Sequence, residues 1–467
     1  MRAYGIRSYH RPGRIEEALA LAAEGAVPIG GGTRVLASAE PLPIVLDLLA
    51  LDDGAIEMHE LDGGEFDLVI GASATLQEVL DSTLLWQTTC GVLPEACRAQ
   101  SPSRLLRNLA TLAGEVIDGA AGSDVGAVLL ALNAVFVVDA RRGSLEVPAL
   151  RFVRAPQDDL AGGGIVRRLV IPGPVQGAAL ERVSAVPGGP SLLSVAASVV
   201  FAGERCARAR VAISGIEDRA LRIVEAERRL EGSAGEDEAI ERVVEEVLRR
   251  ASFRDDAQAP ASYRAAVVPT LLRRALRKAI WRVGIPAEPP EPGLWGAPPR
   301  AAPISPLPYF TSGRVELQLN GHARALEVEA RTSLLDALRD AGLTGAKRGC
   351  QDGECGACAV LLDGRPVPAC LVPAVRAHGR SVETIEGLAG QDGLHPVQRA
   401  FVEAGAVQCG YCTPAQELVT KALLAAVPRP TEAQVREALA GCPCPCSGGV
   451  APVAAVLEAI ATARGRR

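Results

Sequence analysis

The sequence predicts a multidomain α+β chain, and three observations carry that prediction. Its 467 residues exceed one ordinary domain. A segment dense in proline and alanine, residues 285–308, divides it and reads as an extended, semi-rigid linker, because proline fixes φ and removes N–H donors. Nine of the twelve cysteines then follow that segment, between Cys350 and Cys446.

Hydrophobic residues are 48% of the chain and aromatics only 3%, so sizeable cores must be filled by Ala, Val, Leu and Ile. A formal charge of −6 without a basic stripe argues against nucleic acid or an anionic membrane as partner. Residues 1–14 lack the apolar stretch of a secretory signal, and no apolar run reaches the roughly 18 residues of a membrane span. The expectation is a cytoplasmic protein. Thiols stay reduced there, so the cysteines read as metal ligands or buried thiols rather than disulfides.

Before the linker, residues 15–24 form an amphipathic helix closed by Gly25, and a strand at 27–29 runs into Gly30-Gly31-Gly32. Further strands are expected at 135–139, 169–172, 193–201 and 211–214, and helices at 236–250 and 271–281. The pattern makes two α+β pieces that part near Pro172-Gly173-Pro174. Beyond the linker, Asn320-Gly321 marks a hairpin, Thr332 or Ser333 caps a helix ending at Gly342, and a strand at 359–362 enters the turn Asp363-Gly364. From His395 onward the signals are helical. Thr413, Pro414 and Gln416 read as cap, N1 proline and capping-box partner, Thr431 and Gln434 repeat the box, and Gly441 ends that helix.

The strongest chemical signal is Cys350-x4-Cys355-x2-Cys358-x11-Cys370. Four thiolates at this spacing match a plant-type [2Fe–2S] cluster, and Gly349, Gly353 and Gly356 let the backbone curl round the sulfides. Structural zinc, the bland alternative, prefers C-x2-C pairs at both ends. A second set, Cys409-x2-Cys412 with Cys444-x-Cys446, fits zinc or a cluster equally well by spacing alone.

The residues around the second set shift that balance. Gln408-Cys409-Gly410-Tyr411-Cys412-Thr413-Pro414 and Cys444-Pro445-Cys446-Ser447-Gly448 resemble the helical [2Fe–2S] domain of the xanthine dehydrogenase, aldehyde oxidase and CO dehydrogenase family. Gly353-Glu354-Cys355-Gly356-Ala357-Cys358 resembles that family's ferredoxin domain. The chain departs from the family pattern at Pro445 and Cys442, where Arg and Asn are usual. Proline there removes an N–H and a positive charge, and Cys442 is expected not to be a ligand.

A glycine turn after a strand can cradle a pyrophosphate, although such a turn is more often only a turn. Here Pro28-Ile29-Gly30-Gly31-Gly32-Thr33, with Arg107-Asn108-Leu109-Ala110-Thr111-Leu112-Ala113-Gly114-Glu115 and Ser123-Asp124, resembles the FAD subunit of the same family. The resemblance implies that Pro28, Ile29, Gly30, Gly31, Gly32, Thr33, Arg34 and Val35, together with Thr111, Leu112, Ala113, Gly114 and Glu115, line FAD. It also implies a ribose or ring contact for Asp124 and an isoalloxazine neighbour in Arg182. Ala113 and Glu115 depart from the usual Gly and Asn, and a carboxylate near a pyrophosphate must turn away or accept N–H bonds.

The family's fold then places a two-part FAD-binding domain of the vanillyl-alcohol-oxidase/CO-dehydrogenase flavoprotein type at 1–174 and a C-terminal α+β domain at 175–284. A linker follows at 285–312, a β-grasp ferredoxin domain at 313–390 and a four-helix [2Fe–2S] domain at 391–467. The implied cofactors are FAD and two [2Fe–2S] clusters. The implied role is electron relay within a hetero-oligomer, from a molybdopterin-binding large catalytic subunit to an acceptor such as NAD+, quinone or oxygen. A free-standing flavin–iron–sulfur diaphorase and a non-redox zinc-binding interaction module are the alternatives. Cys90 and Cys97 read as buried or surface thiols, Cys206 stands apart in the same half, and the five histidines show no metal spacing.

Overall fold

The computed structural model describes residues 5–38, 42–51, 54–119, 122–186, 189–283, 304–390 and 393–465. Most of the expected linker, residues 285–303, lies outside the described residues. The chain divides into two units: Met1–Leu51, Pro102–Ala110 and Glu291–Arg467 in the first, Asp52–Ser101 and Thr111–Pro290 in the second.

In the first unit, Ser8–Arg11 and Val27–Ile29 flank Ile44–Asp47 as parallel strands. The helix Ile15–Ala23 joins the first two, and Gly25 at φ +94° turns the chain out of it. Leu307–Phe310 adds an antiparallel edge strand beside Ser8–Arg11. That strand corrects the expectation of unbroken linker to residue 312. Proline is tolerated on an edge strand, where no neighbour needs its missing N–H.

The same unit holds a five-stranded sheet in the order His322–Glu329, Ser312–Leu319, Ser381–Glu383, Ala359–Leu362, Arg365–Pro368. Its two tight turns have positive φ at both central residues, Asn320-Gly321 and Asp363-Gly364, as a right-twisted hairpin requires. Ser333 caps Leu334–Asp340, its hydroxyl accepting from the Asp336 N–H at 3.0 Å. The two sheets share one apolar core, in which Tyr9, Ile29 and Val45 join Val315, Leu334, Val360 and Leu371.

Four helices, Pro396–Glu403, Thr413–Ala426, Glu432–Leu439 and Val450–Gly465, close round Phe401, Val419, Val435 and Val456. His395 starts the first with a capping box to Gln398, and Thr431 starts the third with one to Gln434. The second helix differs from expectation. Its cap position is Cys412, without a side-chain cap, and Gln416 gives its amide instead to the Cys442 carbonyl at 2.8 Å. A tertiary acceptor inside the bundle outcompetes the local one.

The second unit contains an antiparallel sheet in the order Ile56–Glu60, Phe66–Gly71, Ile165–Pro172, Val135–Ala140, Gly143–Pro148, with helices Leu76–Asp81, Val92–Gln100, Leu112–Asp118 and Asp124–Ala131. It continues into an antiparallel meander, Gly177–Ser184, Ser191–Ala202, Arg205–Ser214, Leu221–Arg222. Asp237–Arg250 and Ala261–Trp281 pack on it through Val243, Val268, Leu272 and Leu276. The last helix begins ten residues before the expected 271, running through Pro269. Burial of its apolar face overrides the local penalty of an interior proline. Among the described residues, no helix is long and apolar enough to cross a membrane.

Glu417, on the second helix of the bundle, is only 5% exposed, and burial pushes its carboxyl up to about 7, against a smaller opposing pull from the Gln398 hydrogen bond. The folded value lies above the ordinary 4.5, so the folded state binds this proton more tightly. The stability it contributes is complete below pH 4.5 and is lost as pH rises to about 7. Glu417→Gln is therefore expected to raise the melting temperature relative to the parent chain at pH 8 and to lose that advantage towards pH 5. Thermal unfolding followed by circular dichroism across this range checks it, and parallel profiles for the two proteins would refute it.

Candidate functional site

The first cysteine loop is wound so that thiols and N–H groups face one another. The Cys355 N–H donates to Cys350 Sγ at 3.2 Å, and the Cys350 N–H to Cys355 Sγ at 3.5 Å. Cys358 leads into the strand Ala359–Leu362, and Cys370 sits in a turn after the paired strand Arg365–Pro368. The sheet thus brings Cys370 back to the loop, where it hydrogen-bonds both Cys350 and Cys358. Those bonds hold Cys350 and Cys358 below the usual thiol range and push Cys370 up. Thiolate is the form that binds iron.

In the second set Cys409 contacts Cys446, and Cys412 contacts Cys444. The Tyr411 N–H, followed by Cys446, pulls Cys409 down, and Ser447 does the same for Cys444. Cys409 and Cys446 are exposed and Cys412 is buried. Cys442 belongs to neither pair. It is 1% exposed, and its Sγ lies 3.7 Å from the Gly356 carbonyl oxygen in the first loop.

The two loops interlock. A Cβ on Gly356 would stand 1.9 Å from the Gly441 carbonyl oxygen, so only glycine fits where the loops touch. The Tyr411 hydroxyl donates to the Arg348 carbonyl at 2.8 Å. Among the described residues, no group of three or more His, Cys, Asp or Glu side chains closes on a single ion. Eight thiols in two sets of four, with backbone N–H groups aimed at sulfur, are donors of the kind that hold [2Fe–2S] clusters.

The glycine turn lies in the first unit. Gly31 is packed so tightly that a Cβ would meet the Leu109 carbonyl oxygen at 1.9 Å. Among the described residues, no main-chain acceptor takes the N–H of Gly31, Gly32 or Thr33. These amides suit an anion such as a diphosphate. Ile29 is 2% exposed and Val35 packs on the same core, so these two side chains face inward. Arg34 follows in the turn, where its carbonyl accepts from the Ser38 N–H at 3.0 Å.

Beneath the turn is a buried network that carried no signal in the sequence. Arg376 places Nε and Nη2 on the Asp47 carboxylate, each at 3.0 Å, Nη1 on the Gly31 carbonyl at 2.9 Å and Nη2 on the Gly30 carbonyl at 2.6 Å. Arg11 lies 3.4 Å from the same carboxylate, and the Tyr9 hydroxyl donates to it. Two guanidiniums keep Asp47 below the carboxylate range although burial opposes them as the largest influence, while burial pushes the Tyr9 phenol far up and keeps it neutral. Arg107 and Asn108, from the segment expected round FAD, instead reach the cysteine-bearing folds. Arg107 pairs with Glu437, and Asn108 donates to the Pro366 carbonyl at 2.8 Å.

The remaining expected flavin residues lie in the second unit. Thr111 caps Leu112–Asp118, with Oγ1 accepting from the Gly114 N–H at 3.2 Å, and Leu112 and Ala113 are buried. Glu115 accepts from the Gln100 amide at 3.0 Å, and the Gln100 oxygen takes the Asp124 N–H at 3.0 Å. Asp124 is 1% exposed and accepts from Ser191 Oγ at 2.8 Å, with Arg182 Nε at 3.5 Å. Burial raises its carboxyl although Arg182 opposes that. Asp124 thus holds Arg182 and Ser191 in place from inside the fold.

Four family descriptions match successive parts of the chain. They are "FAD binding domain in molybdopterin dehydrogenase" over residues 3–174, "CO dehydrogenase flavoprotein C-terminal domain" over 189–279, "2Fe-2S iron-sulfur cluster binding domain" over 317–380 and "[2Fe-2S] binding domain" over 384–457. The nicotinate dehydrogenase small FeS subunit of Eubacterium barkeri is 46% identical over 147 residues, which are 31% of this chain and 94% of that protein. The nicotine 6-hydroxylase small subunit of Paenarthrobacter nicotinovorans is 47% identical over 152 residues, 32% of this chain and 91% of that one. A chain of the reconstituted CO dehydrogenase from Oligotropha carboxidovorans superimposes with a TM-score of 0.52 at 23% identity, over 59% of this chain and 98% of its own, a likeness of fold. With an FAD-binding domain and two [2Fe–2S] domains on one polypeptide, the chain belongs to the xanthine dehydrogenase, CO dehydrogenase and aldehyde oxidase family of molybdenum hydroxylases, as an oxidoreductase component.

Proposed function

We propose that this chain relays electrons from a molybdopterin-binding catalytic subunit, a separate polypeptide, to FAD and on to an acceptor such as NAD+. Cys409, Cys412, Cys444 and Cys446 would hold the cluster that receives them, and Cys350, Cys355, Cys358 and Cys370 the cluster that passes them to the flavin. Iron–sulfur clusters supply one-electron transfer, and flavin joins one-electron to two-electron traffic. The observation that carries the reading is the contact between the two cysteine loops, Gly356 against Gly441 with the Cys442 thiol on the Gly356 carbonyl. Loops locked together hold their thiol sets at a fixed separation, which suits relay rather than substrate turnover.

The protein's own residues shape each end of that path. The N–H groups of Cys350 and Cys355 donate to each other's Sγ, and with a cluster held there such bonds to ligand sulfur would favour its reduced, more negative state. On the other side, the loop bearing the exposed Cys409 also exposes Val407 at 42% and Tyr411 at 44%, and the helix before it exposes Val402 at 58%. Apolar side chains beside a ligand suit a protein partner, here the catalytic subunit.

Two experiments test the reading. Anaerobically purified protein reduced with dithionite is expected to give two distinct electron paramagnetic resonance signals. Cys358→Ser should abolish one and Cys412→Ser the other, with iron and acid-labile sulfide falling by about half each time. A colourless, zinc-containing protein would end the proposal. Val407→Glu is expected to cut co-purification of the large subunit on the order of tenfold, the loss of one apolar anchor, with both signals retained. Unchanged co-purification would remove this loop from the interface.

A further inference from the structure

The buried network under the glycine turn assigns a task to a residue of the ferredoxin fold. Arg376 stands in the short turn Ala374–Ala377, six positions after Cys370, and is 1% exposed. Its guanidinium takes the Asp47 carboxylate in a fork and still has N–H groups for the Gly30 and Gly31 carbonyls. In a trans peptide the N–H points opposite to the C=O of the same unit. Carbonyls held on Arg376 therefore turn the N–H groups of Gly31 and Gly32 to the far side of the turn. Those are the amides without a main-chain acceptor.

Charge acts in the same sense. One carboxylate, Asp47, faces two guanidiniums, Arg11 and Arg376, with Tyr9 neutral between them. A single net positive charge is left under the turn, out of reach of solvent screening.

We propose that Arg376 is a positioning residue for FAD: it fixes the Gly30 and Gly31 carbonyls so that the turn presents its amides to the flavin's diphosphate. The proposal rests on the reading of residues 30–33 as the diphosphate turn. FAD affinity in this chain then depends on a side chain supplied by the ferredoxin fold.

The test uses the full chain with both clusters loaded and the flavin removed, titrated with FAD and read by quenching of flavin fluorescence. Arg376→Met alone would strand Asp47, so it is combined with Asp47→Asn, which removes charge on both sides and leaves the positive charge of Arg11. The double variant, in which Arg11 keeps only the neutral acceptors Tyr9 Oη and the Val375 and Ser305 carbonyls, is expected to fold with a lowered melting temperature and to keep both paramagnetic signals, yet to bind FAD on the order of tenfold to a hundredfold more weakly, from one or two lost charge-assisted bonds. Arg376→Lys, which keeps the charge but cannot span both carbonyls and the fork, is expected to weaken FAD likewise, and it decides the matter should the double variant not fold. FAD affinity within about twofold of the parent in a folded variant overturns the proposal, because the role is then structural only. Gly32→Ala separates the two levels: Gly32 has φ +75°, so an alanine disturbs the turn itself. If that variant alone loses affinity, Arg376 is dismissed and the turn stands. If it binds FAD as the parent does, the turn reading falls and the proposal with it.

Discussion

Asp47 is a carboxylate with no exposed surface at the C-terminal end of the central strand of a small parallel sheet, and such a group persists only where cations are brought to it. The chain brings two, Arg11 from the next strand and Arg376 from a fold more than three hundred residues away in sequence. Breaking a buried pair of this kind costs about 3–5 kcal/mol, because it leaves one charge unpaired in a low dielectric. That constraint ties the glycine turn to the ferredoxin sheet, and the shared apolar core of Tyr9, Val45, Val315 and Val360 fills the space around it. The edge strand Leu307–Phe310 adds main-chain hydrogen bonding to the same seam.

A second seam joins the ferredoxin loop to the helical bundle, and it works by close backbone approach rather than by charge. Gly356 has no room for a side chain against the Gly441 carbonyl, and a Cβ on Gly441 would crowd Ser103 and Leu105 of the segment 102–110. Cys442 occupies the remaining gap with a small, weakly polar thiol that reaches the Gly356 carbonyl, and Gln416 satisfies the Cys442 carbonyl from the bundle side. Arg107 with Glu437, and Asn108 with the Pro366 carbonyl, add two polar ties from the segment 102–110. The glycine turn and both cysteine loops therefore share one unit, and their separations are fixed by packing.

In the second unit the expected flavin residues are organised by hydrogen bonds that begin with Gln100. Its amide takes Glu115 and its carbonyl takes the N–H that opens the helix Asp124–Ala131. The departure from asparagine at position 115 is absorbed by that amide, so the carboxylate is paired within the fold. Asp124 in turn fixes Arg182 through Ser191, which makes it a support for the meander.

Much of the chemistry was legible in the one-dimensional pattern because it is local. The spacing of Cys350, Cys355 and Cys358 is set within a single loop, the Asn320-Gly321 and Asp363-Gly364 turns by φ preferences of single residues, and the helix starts at His395 and Thr431 by side chains three residues apart. Signals that depend on distant partners were not legible. Nothing near Arg376 or Asp47 marks either as half of a buried pair, Gln416 has the local context of a capping box yet serves a carbonyl 26 residues away, and the proline at 269 reads as a helix break until the apolar face on both sides is seen to be buried. The sequence by itself determined which thiols and which glycine turn are the candidate donors to a cofactor, since donor type and loop spacing are covalent facts. Only the tertiary structure decided which carbonyls are held, which charges are paired and which glycines touch, because those are settled by burial and the scarcity of alternative partners once water is excluded.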